Sequence, residues 1–296
     1  MDQAGRSSAQ IRKGPFCWLK FHKINVRISR FIRPSTTIYW QSPMKRLILM
    51  LVLIYASIVC ATAAGVCSKS SPAYTIALLE LYSSEGCSSC PPADNLIRQL
   101  YPLTGLSSEQ VIPIVLHVDY WDYLGWKDRY AKAVHTDRQR YLSALVGSNT
   151  IYTPEFFMAG KEFRPGRVDL RKAVETVNQQ AALATIRIDL GRIKNNKVEF
   201  QIDAETDQDA QLQYVLVEQG LSGKVSAGEN SGETLQHDAV VREWGAPVAL
   251  LSHVIIKNKM QLTVPANPAV KNLSVVAFIQ NQQGKILQAL SVPLCM

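Results

Sequence analysis

The feature that most constrains the fold is an apolar run that ends at a close pair of cysteines. Residues 74–84 have the sequence YTIALLELYSS, which is typical of a buried strand. Cys87 and Cys90 follow, separated by two serines, and Pro91 and Pro92 come directly after them. Prolines suit the first turn of a helix, where a backbone N–H has no partner to lose. The sequence therefore predicts a strand, a CxxC turn and a helix in immediate succession.

A cysteine pair at the start of a helix can exchange disulfides. Unpaired N–H groups and the positive end of the helix dipole stabilise a thiolate and lower its pKa. We assign Cys87 as the attacking thiol and Cys90 as the resolving thiol. One alternative is an envelope interaction module in which the cysteine pair is a permanent structural disulfide. A copper site is another, because His117 could add an imidazole to the two thiolates.

The positive charge of the chain is confined to its first residues. The net charge is +8 overall, of which +9 lies in residues 1–46, so the remainder carries −1. This distribution argues against a basic face for nucleic acid. No nucleophile elbow, phosphate-binding loop or dinucleotide glycine motif is present either, so hydrolase and nucleotide-dependent classes have little support.

A secretory leader explains this charge. Lys45 and Arg46 precede an apolar run that ends in small residues, a layout typical of a signal peptide over residues 44–63. Residues 1–43 are then interpreted as an over-extended gene prediction. The apolar run is shorter than the roughly 20 residues of a spanning helix. We therefore expect a periplasmic or secreted protein with no stable membrane span after cleavage.

Four cysteines remain after the expected cleavage. Two of them form the CxxC pair, while Cys67 lies near the new N-terminus and Cys295 is the penultimate residue. Export to an oxidising compartment favours disulfides. We expect Cys67 and Cys295 to form a structural disulfide that joins the two ends.

Two segments differ in their patterns. Residues 68–184 predict strand, CxxC, helix, strand, helical insertion, strand, turn, strand and helix, an order that resembles the thioredoxin fold. Residues 185–296 contain short, often alternating apolar stretches separated by polar turns. We predict an α/β thioredoxin-like domain with a helical insertion, followed by an all-β sandwich-like C-terminal domain.

The resemblance to thioredoxins implies a substrate groove. The sequence YTPEFFMAGKEF, residues 152–163, is similar to the segment around the cis-proline of that fold. It implies a cis bond between Thr153 and Pro154, with both residues at the substrate site. Tyr120 and Trp121, in an aromatic and acidic loop, either extend this groove or pack inside the protein. The partners expected are protein or small-molecule thiols and disulfides, with no resident cofactor.

Longer blocks carry a more specific resemblance. LYSSEGCSSCPPADNLI, HVDYWDYLGWKD, YTPEFFMAG and HDAVVREW resemble the bacterial secreted family known as domain-of-unknown-function family 1223. The resemblance implies a thioredoxin-like domain outside the cytoplasm, without an established substrate. From the residues alone we expect Asp94 to complement the first helical turn and His135 to be solvated. His237 is expected on a strand with one wet face.

Overall fold

A computed structural model describes residues 67–166, 168–266 and 269–295. The predicted leader, with the signal peptide and residues 1–43, lies outside the described residues. The strands are β1 (Cys67–Ser70), β2 (Ala77–Ser83), β3 (Val111–His117), β4 (Glu155–Met158), β5 (Lys161–Phe163), β6 (Ala184–Lys194), β7 (Lys197–Thr206), β8 (Ala210–Glu218), β9 (Leu221–Lys224), β10 (Thr234–His237), β11 (Val240–Trp244), β12 (Val248–Leu250), β13 (Ile256–Thr263), β14 (Leu273–Asn281) and β15 (Ile286–Pro293). The helices are α1 (Pro91–Arg98), α2 (Leu100–Thr104), α3 (Ala133–Leu145) and α4 (Leu170–Asn178), with short 3₁₀ turns at Asp122–Leu124 and Val270–Asn272.

One large sheet organises the described chain. Its order is β15-β14-β8-β11-β3-β2-β4-β5, with β12 also paired to β8. β3 is parallel to β2 and to β11, while β4 runs antiparallel to β2. A second sheet has the order β1-β6-β7-β13, and β9 and β10 form a separate hairpin.

The predicted fold class is wrong. Strands make up 44% of the described residues and helices 18%, so the protein is mostly β and not an α/β thioredoxin-like domain with a helical insertion followed by a sandwich. The physical reason is the pairing of β3 with β11, where Val115 lies opposite Val240 and Val115 N–H donates to Ala239 at 2.7 Å. This pairing joins strands from both predicted segments in one sheet. The boundary between residues 184 and 185 stays a prediction.

Two hydrophobic cores lie on the two sides of the large sheet. Alternate residues of β14 show this directly, because Val276 and Phe278 belong to one core while Val275 and Ala277 belong to the other. The first core includes apolar residues of all four helices. The second contains the inward-facing residues of β6 and β7, whose alternating burial is typical of strands with one face in a core.

The elements around the cysteines follow from local sequence. β2 and β3 are buried along their whole length, as expected for apolar strands covered on both faces. α1 begins at the two prolines and buries Ala93 and Ile97. Within the part of the chain that the structure describes, no helix is both long and apolar enough to cross a membrane.

Candidate functional site

The CxxC motif lies between the end of β2 and the start of α1. Cys87 and Cys90 form a disulfide, and Cys90 immediately precedes the first helical residue, Pro91. Both cysteines are fully buried, whereas Ser88 and Ser89 between them are exposed. A reagent therefore reaches the serine turn before it reaches either sulfur.

The Thr153–Pro154 peptide lies beside this turn. Its bond is cis, as expected from the sequence. The Ser89 hydroxyl is 3.3 Å from Cys87 Sγ and 3.5 Å from the carbonyl oxygen of Thr153. The single hydroxyl proton can serve one of these acceptors at a time, so Ser89 can turn towards a thiolate when one forms.

An open groove of about 470 Å³ runs along the same edge of the motif. Ser89, Pro92 and Leu96 line one side, while Pro154, Phe156 and Phe163 line the other. Its lining is mostly apolar, with Ser89, Tyr152 and Arg164 as its polar side chains. Such a groove can hold a short extended chain or an apolar small molecule.

Tyr120 and Trp121 pack behind the motif and do not line this groove. Trp121 Nε1 donates to Thr153 Oγ1 at 2.7 Å, and Tyr120 Oη donates to Gln139 at 3.2 Å. Both aromatic residues are partly buried. Trp121 also leaves little space beside Gly86, where an added Cβ would lie 3.2 Å from its own Cβ. The aromatic residues thus support the groove from inside.

A second segment lies against the motif from the other direction. We call residues 225–233, which connect β9 and β10, the hairpin loop. Asn230 Nδ2 donates to the carbonyl oxygens of Glu85 and Cys87, both at 2.9 Å. Ser88 N–H donates to Glu229 Oε2 at 3.0 Å, and hydrogen bonds from Ser88 lower the pKa of Glu229. These contacts hold the hairpin loop on the disulfide.

Beneath the motif lies a buried polar cluster, defined as Glu85, Asp94, His117, Asp128 and His237. All five residues are less than 5% exposed. His117 Nδ1 is 2.6 Å from Asp128 Oδ2, while the His237 ring lies between Glu85 and Asp94 at 3.5 and 3.7 Å. The side-chain atoms of Asp94, His117 and His237 come within 4.8 Å of one another, and neither CxxC cysteine belongs to this group.

Burial and nearby charges shift the pKa values of the cluster residues in opposite directions. Burial lowers the pKa of His237, but the nearby Asp94 and Glu85 carboxylates outweigh it and raise the value to about 9. Burial raises the pKa of Asp128, yet His117 and two backbone N–H donors hold it below its usual range. The cluster therefore favours positive charge between its carboxylates.

Sequence reasoning missed most of this cluster. His237 was expected on a wet strand face, but the fold of the hairpin carries it inward against α1. His135 was expected in solvent, but it is buried, and burial lowers its pKa to about 4. Asp94 lies in the first turn of α1, as expected, but its carboxylate accepts from Ser83 Oγ at 3.1 Å. Only the density of His and acidic residues in the quoted blocks hinted at a shared site.

The remaining predicted residues lie away from the motif. Cys67, in β1, forms a disulfide with Cys295, which is the pairing expected from the sequence. Cys67 also pairs with Leu190 of β6, so the disulfide joins the C-terminal residues to the smaller sheet. The roles assigned to these cysteines and to the groove residues stay predictions.

The fold and site define a mostly β protein with a CxxC disulfide at a helix start, above a buried polar cluster. The profile of a family described as "Protein of unknown function (DUF1223)" matches residues 78–280. The chain belongs to this family. No curated protein matches the chain.

A solved structure with a similar fold is among the matches. It is protein AGR_C_4864 from Agrobacterium tumefaciens, determined by a structural genomics consortium, with 22% identity and a TM-score of 0.53. The match covers 75% of this chain and 96% of that protein. A β-glucosidase from Kluyveromyces marxianus in complex with glucose is 11% identical over 36% of this chain and 13% of its own, with a TM-score of 0.19. That score carries no argument about fold.

Proposed function

We propose that this protein exchanges thiols and disulfides with a substrate through Cys87 and Cys90. The observation that carries the proposal is the position of their disulfide at the start of α1, next to an open groove that Pro154 helps to line. Pro91 and Pro92 carry no N–H, and the N–H groups of Ala93 and Asp94 donate to the Cys90 carbonyl, so the helix contributes the positive end of its dipole to a thiolate at this position. Ser89 supplies a donor close to Cys87 Sγ.

A substrate with two thiols would reduce the Cys87–Cys90 disulfide in two steps. A substrate thiolate attacks Cys87 Sγ, the Cys87–Cys90 bond breaks, and Cys90 leaves as a thiolate. The second substrate thiolate then attacks the substrate sulfur that is bonded to Cys87 in the mixed disulfide. This attack forms the substrate disulfide and releases Cys87 as a thiolate. Two electrons pass to the protein, and the two substrate protons are available to its thiolates. The reverse sequence reduces a substrate disulfide.

Access to the sulfurs requires a local movement. Cys87 and Cys90 are fully buried, and the hairpin loop is hydrogen-bonded to the motif through Glu229 and Asn230. We place the substrate in the groove lined by Ser89 and Pro154. The rate of exchange is then set partly by how often the hairpin loop opens.

The compartment proposed is the periplasm or the exterior. The chain carries two disulfides, a usage typical of oxidising environments and rare in the cytosol. The substrates proposed are protein or small-molecule thiols and disulfides.

A single-cysteine trap tests the proposal. Cys90→Ser leaves Cys87 free to form a mixed disulfide that cannot be resolved internally. With oxidised glutathione, this variant should accumulate a stable adduct, measured by mass spectrometry, much faster than Cys87→Ser. Equal rates for the two variants, no faster than an unstructured thiol peptide, would refute an activated Cys87.

A further inference from the structure

The buried polar cluster contains more unpartnered polar atoms than a closed protein interior tolerates. Glu85 Oε1, Asp94 Oδ1, His117 Nε2 and both ring nitrogens of His237 are buried without a hydrogen-bond partner. Buried polar atoms are almost always paired, because an unpaired one loses its hydration without compensation. The His237 nitrogens face Glu85 Oε1 and Asp94 Oδ2 only as long ion pairs of 3.5 and 3.7 Å, and Asp94 Oδ1 and His117 Nε2 make no hydrogen bond. These incompletely satisfied atoms indicate that the cluster accommodates a further species.

The imidazoles are oriented as metal ligands are. His117 directs Nδ1 at Asp128 Oδ2, 2.6 Å away, which leaves Nε2 as a lone pair when Nδ1 carries the proton. His237 has Nε2 3.5 Å from Glu85 Oε1 and Nδ1 3.7 Å from Asp94 Oδ2. Asp128 is thus the outer carboxylate of His117, and Glu85 is that of His237, whose Nδ1 is turned towards Asp94. A carboxylate on the outer nitrogen is the arrangement by which proteins orient metal-bound histidines.

The charges of the cluster favour a cation. Glu85, Asp94 and Asp128 bring three carboxylates into a buried volume. The guanidinium of Arg129 approaches Glu85 only to 3.9 Å and is about half exposed. The other positive charge that can face Glu85 and Asp94 is a proton on His237, which the ion would displace. The Tyr130 ring, packed at 5.3 Å from the His117 ring and 5.7 Å from the His237 ring, adds no charge at neutral pH.

We propose that Asp94, His117 and His237 bind one divalent cation of the zinc class. Two imidazoles and one carboxylate suit Zn²⁺, whereas Ca²⁺ and Mg²⁺ prefer all-oxygen sites. Asp128 and Glu85 act as outer partners of the two histidines. This site differs from the copper site predicted from Cys87, Cys90 and His117, because it uses no cysteine.

The ion would join three separate parts of the chain. Asp94 belongs to α1, His117 ends β3 and His237 ends β10, at the base of the hairpin that carries the hairpin loop. Binding would fix both the helix that begins at the CxxC motif and the loop that lies on it. The site is therefore positioned to stabilise the closed form around the disulfide.

Zinc binding by the oxidised protein is the test, because the disulfide-bonded form offers no thiolate ligand. Tag-free protein is stripped by unfolding in chelator without reductant, refolded with or without Zn²⁺, and analysed by elemental analysis and thermal unfolding. The proposal predicts one tightly held zinc per chain and a higher melting temperature with Zn²⁺ than without. It is overturned if folded wild-type protein retains no zinc and its melting temperature does not change.

Variants locate the ion. His237→Gln and His117→Gln should each weaken zinc binding at least about tenfold, and Asp128→Asn should weaken it about 10- to 100-fold as an outer partner. His253→Gln is the control, since His253 is exposed and lies outside the group. Equal losses in the His253 and His237 variants would contradict the site. If a ligand variant does not fold, the wild-type measurements decide alone.

Discussion

Asn230 provides a quantitative test of the closed hairpin loop. Its side-chain amide donates to the backbone oxygens of Glu85 and Cys87, both at 2.9 Å, in a buried position. In Asn230→Ala the loop remains but both bonds are lost. Each intramolecular hydrogen bond contributes about 1 kcal/mol net, so the closed form loses about 2 kcal/mol relative to the open form.

The lower stability of the closed form predicts a faster reduction of the Cys87–Cys90 disulfide. About 1.4 kcal/mol corresponds to a tenfold change in an equilibrium, so the open population should rise about 30-fold. If reduction requires opening, dithiothreitol should reduce the Cys87–Cys90 disulfide about 30-fold faster in Asn230→Ala. Timed alkylation and peptide mass analysis follow this disulfide separately from Cys67–Cys295.

The control is Glu233→Ala in the same hairpin loop. Glu233 is exposed, and its backbone bonds to Asn230 and Val225 do not need its side chain. This variant should be reduced at the wild-type rate, and the Cys67–Cys295 disulfide should react equally in all three proteins. An acceleration below about threefold in Asn230→Ala would refute the view that the hairpin loop limits access.

Three further predictions concern the disulfide, the helix start and pH. Removing the terminal disulfide with Cys67→Ser and Cys295→Ser should lower the free energy of unfolding by up to about 5 kcal/mol in urea, because it closes a loop of 228 residues. Ser89→Ala should raise the pKa of the reduced Cys87 thiol, measured by its thiolate absorbance, because a charge-assisted hydrogen bond is lost. Burial raises the pKa of Glu155 to about 7, so this group stabilises the fold at pH below about 4.5 and loses that contribution as pH rises through 7. Glu155→Gln should therefore lose less stability than wild type between pH 5 and pH 8, by at most about 3 kcal/mol in urea unfolding.

A different result would contradict each of these three predictions. Unchanged unfolding of the double serine variant would mean that the terminal disulfide does not constrain the unfolded chain. For the thiol pKa, Ser88→Ala is the matched control, because of the two serines it is Ser89 whose hydroxyl lies 3.3 Å from Cys87 Sγ. An equal shift in both serine variants would remove Ser89 from its assigned role. Parallel stability curves for wild type and Glu155→Gln between pH 5 and pH 8 would contradict the pKa of Glu155.

Local sequence was sufficient to predict the CxxC turn and its surroundings. The apolar run before Cys87 forms the buried strand β2, and the prolines open α1. Both features depend on neighbours close in the chain, whereas the cis Thr153–Pro154 bond was expected from the resemblance to thioredoxins. Prolines restrict their own backbone, and apolar runs specify burial without reference to distant residues.

The large sheet and the buried polar cluster depend on distant contacts and were not predictable in this way. Val115 pairs with Val240 across more than a hundred residues, and nothing in the pattern of β3 specifies which strand adjoins it. His237 alternates with apolar residues as a surface residue would. Its burial follows from the packing of the β9–β10 hairpin against α1, where Asp94 and Glu85 supply the opposing charges.

The reduction potential of the Cys87–Cys90 pair tests the proposed exchange most directly. Folded protein is equilibrated in glutathione buffers of graded potential, and the alkylated state of each cysteine is read by mass spectrometry. Thiol–disulfide exchange predicts reversible two-electron reduction of this pair at about −120 to −270 mV, the range of known exchange proteins, while Cys67–Cys295 stays oxidised. A Cys87–Cys90 disulfide that remains oxidised in strong reductant until the protein unfolds would contradict it.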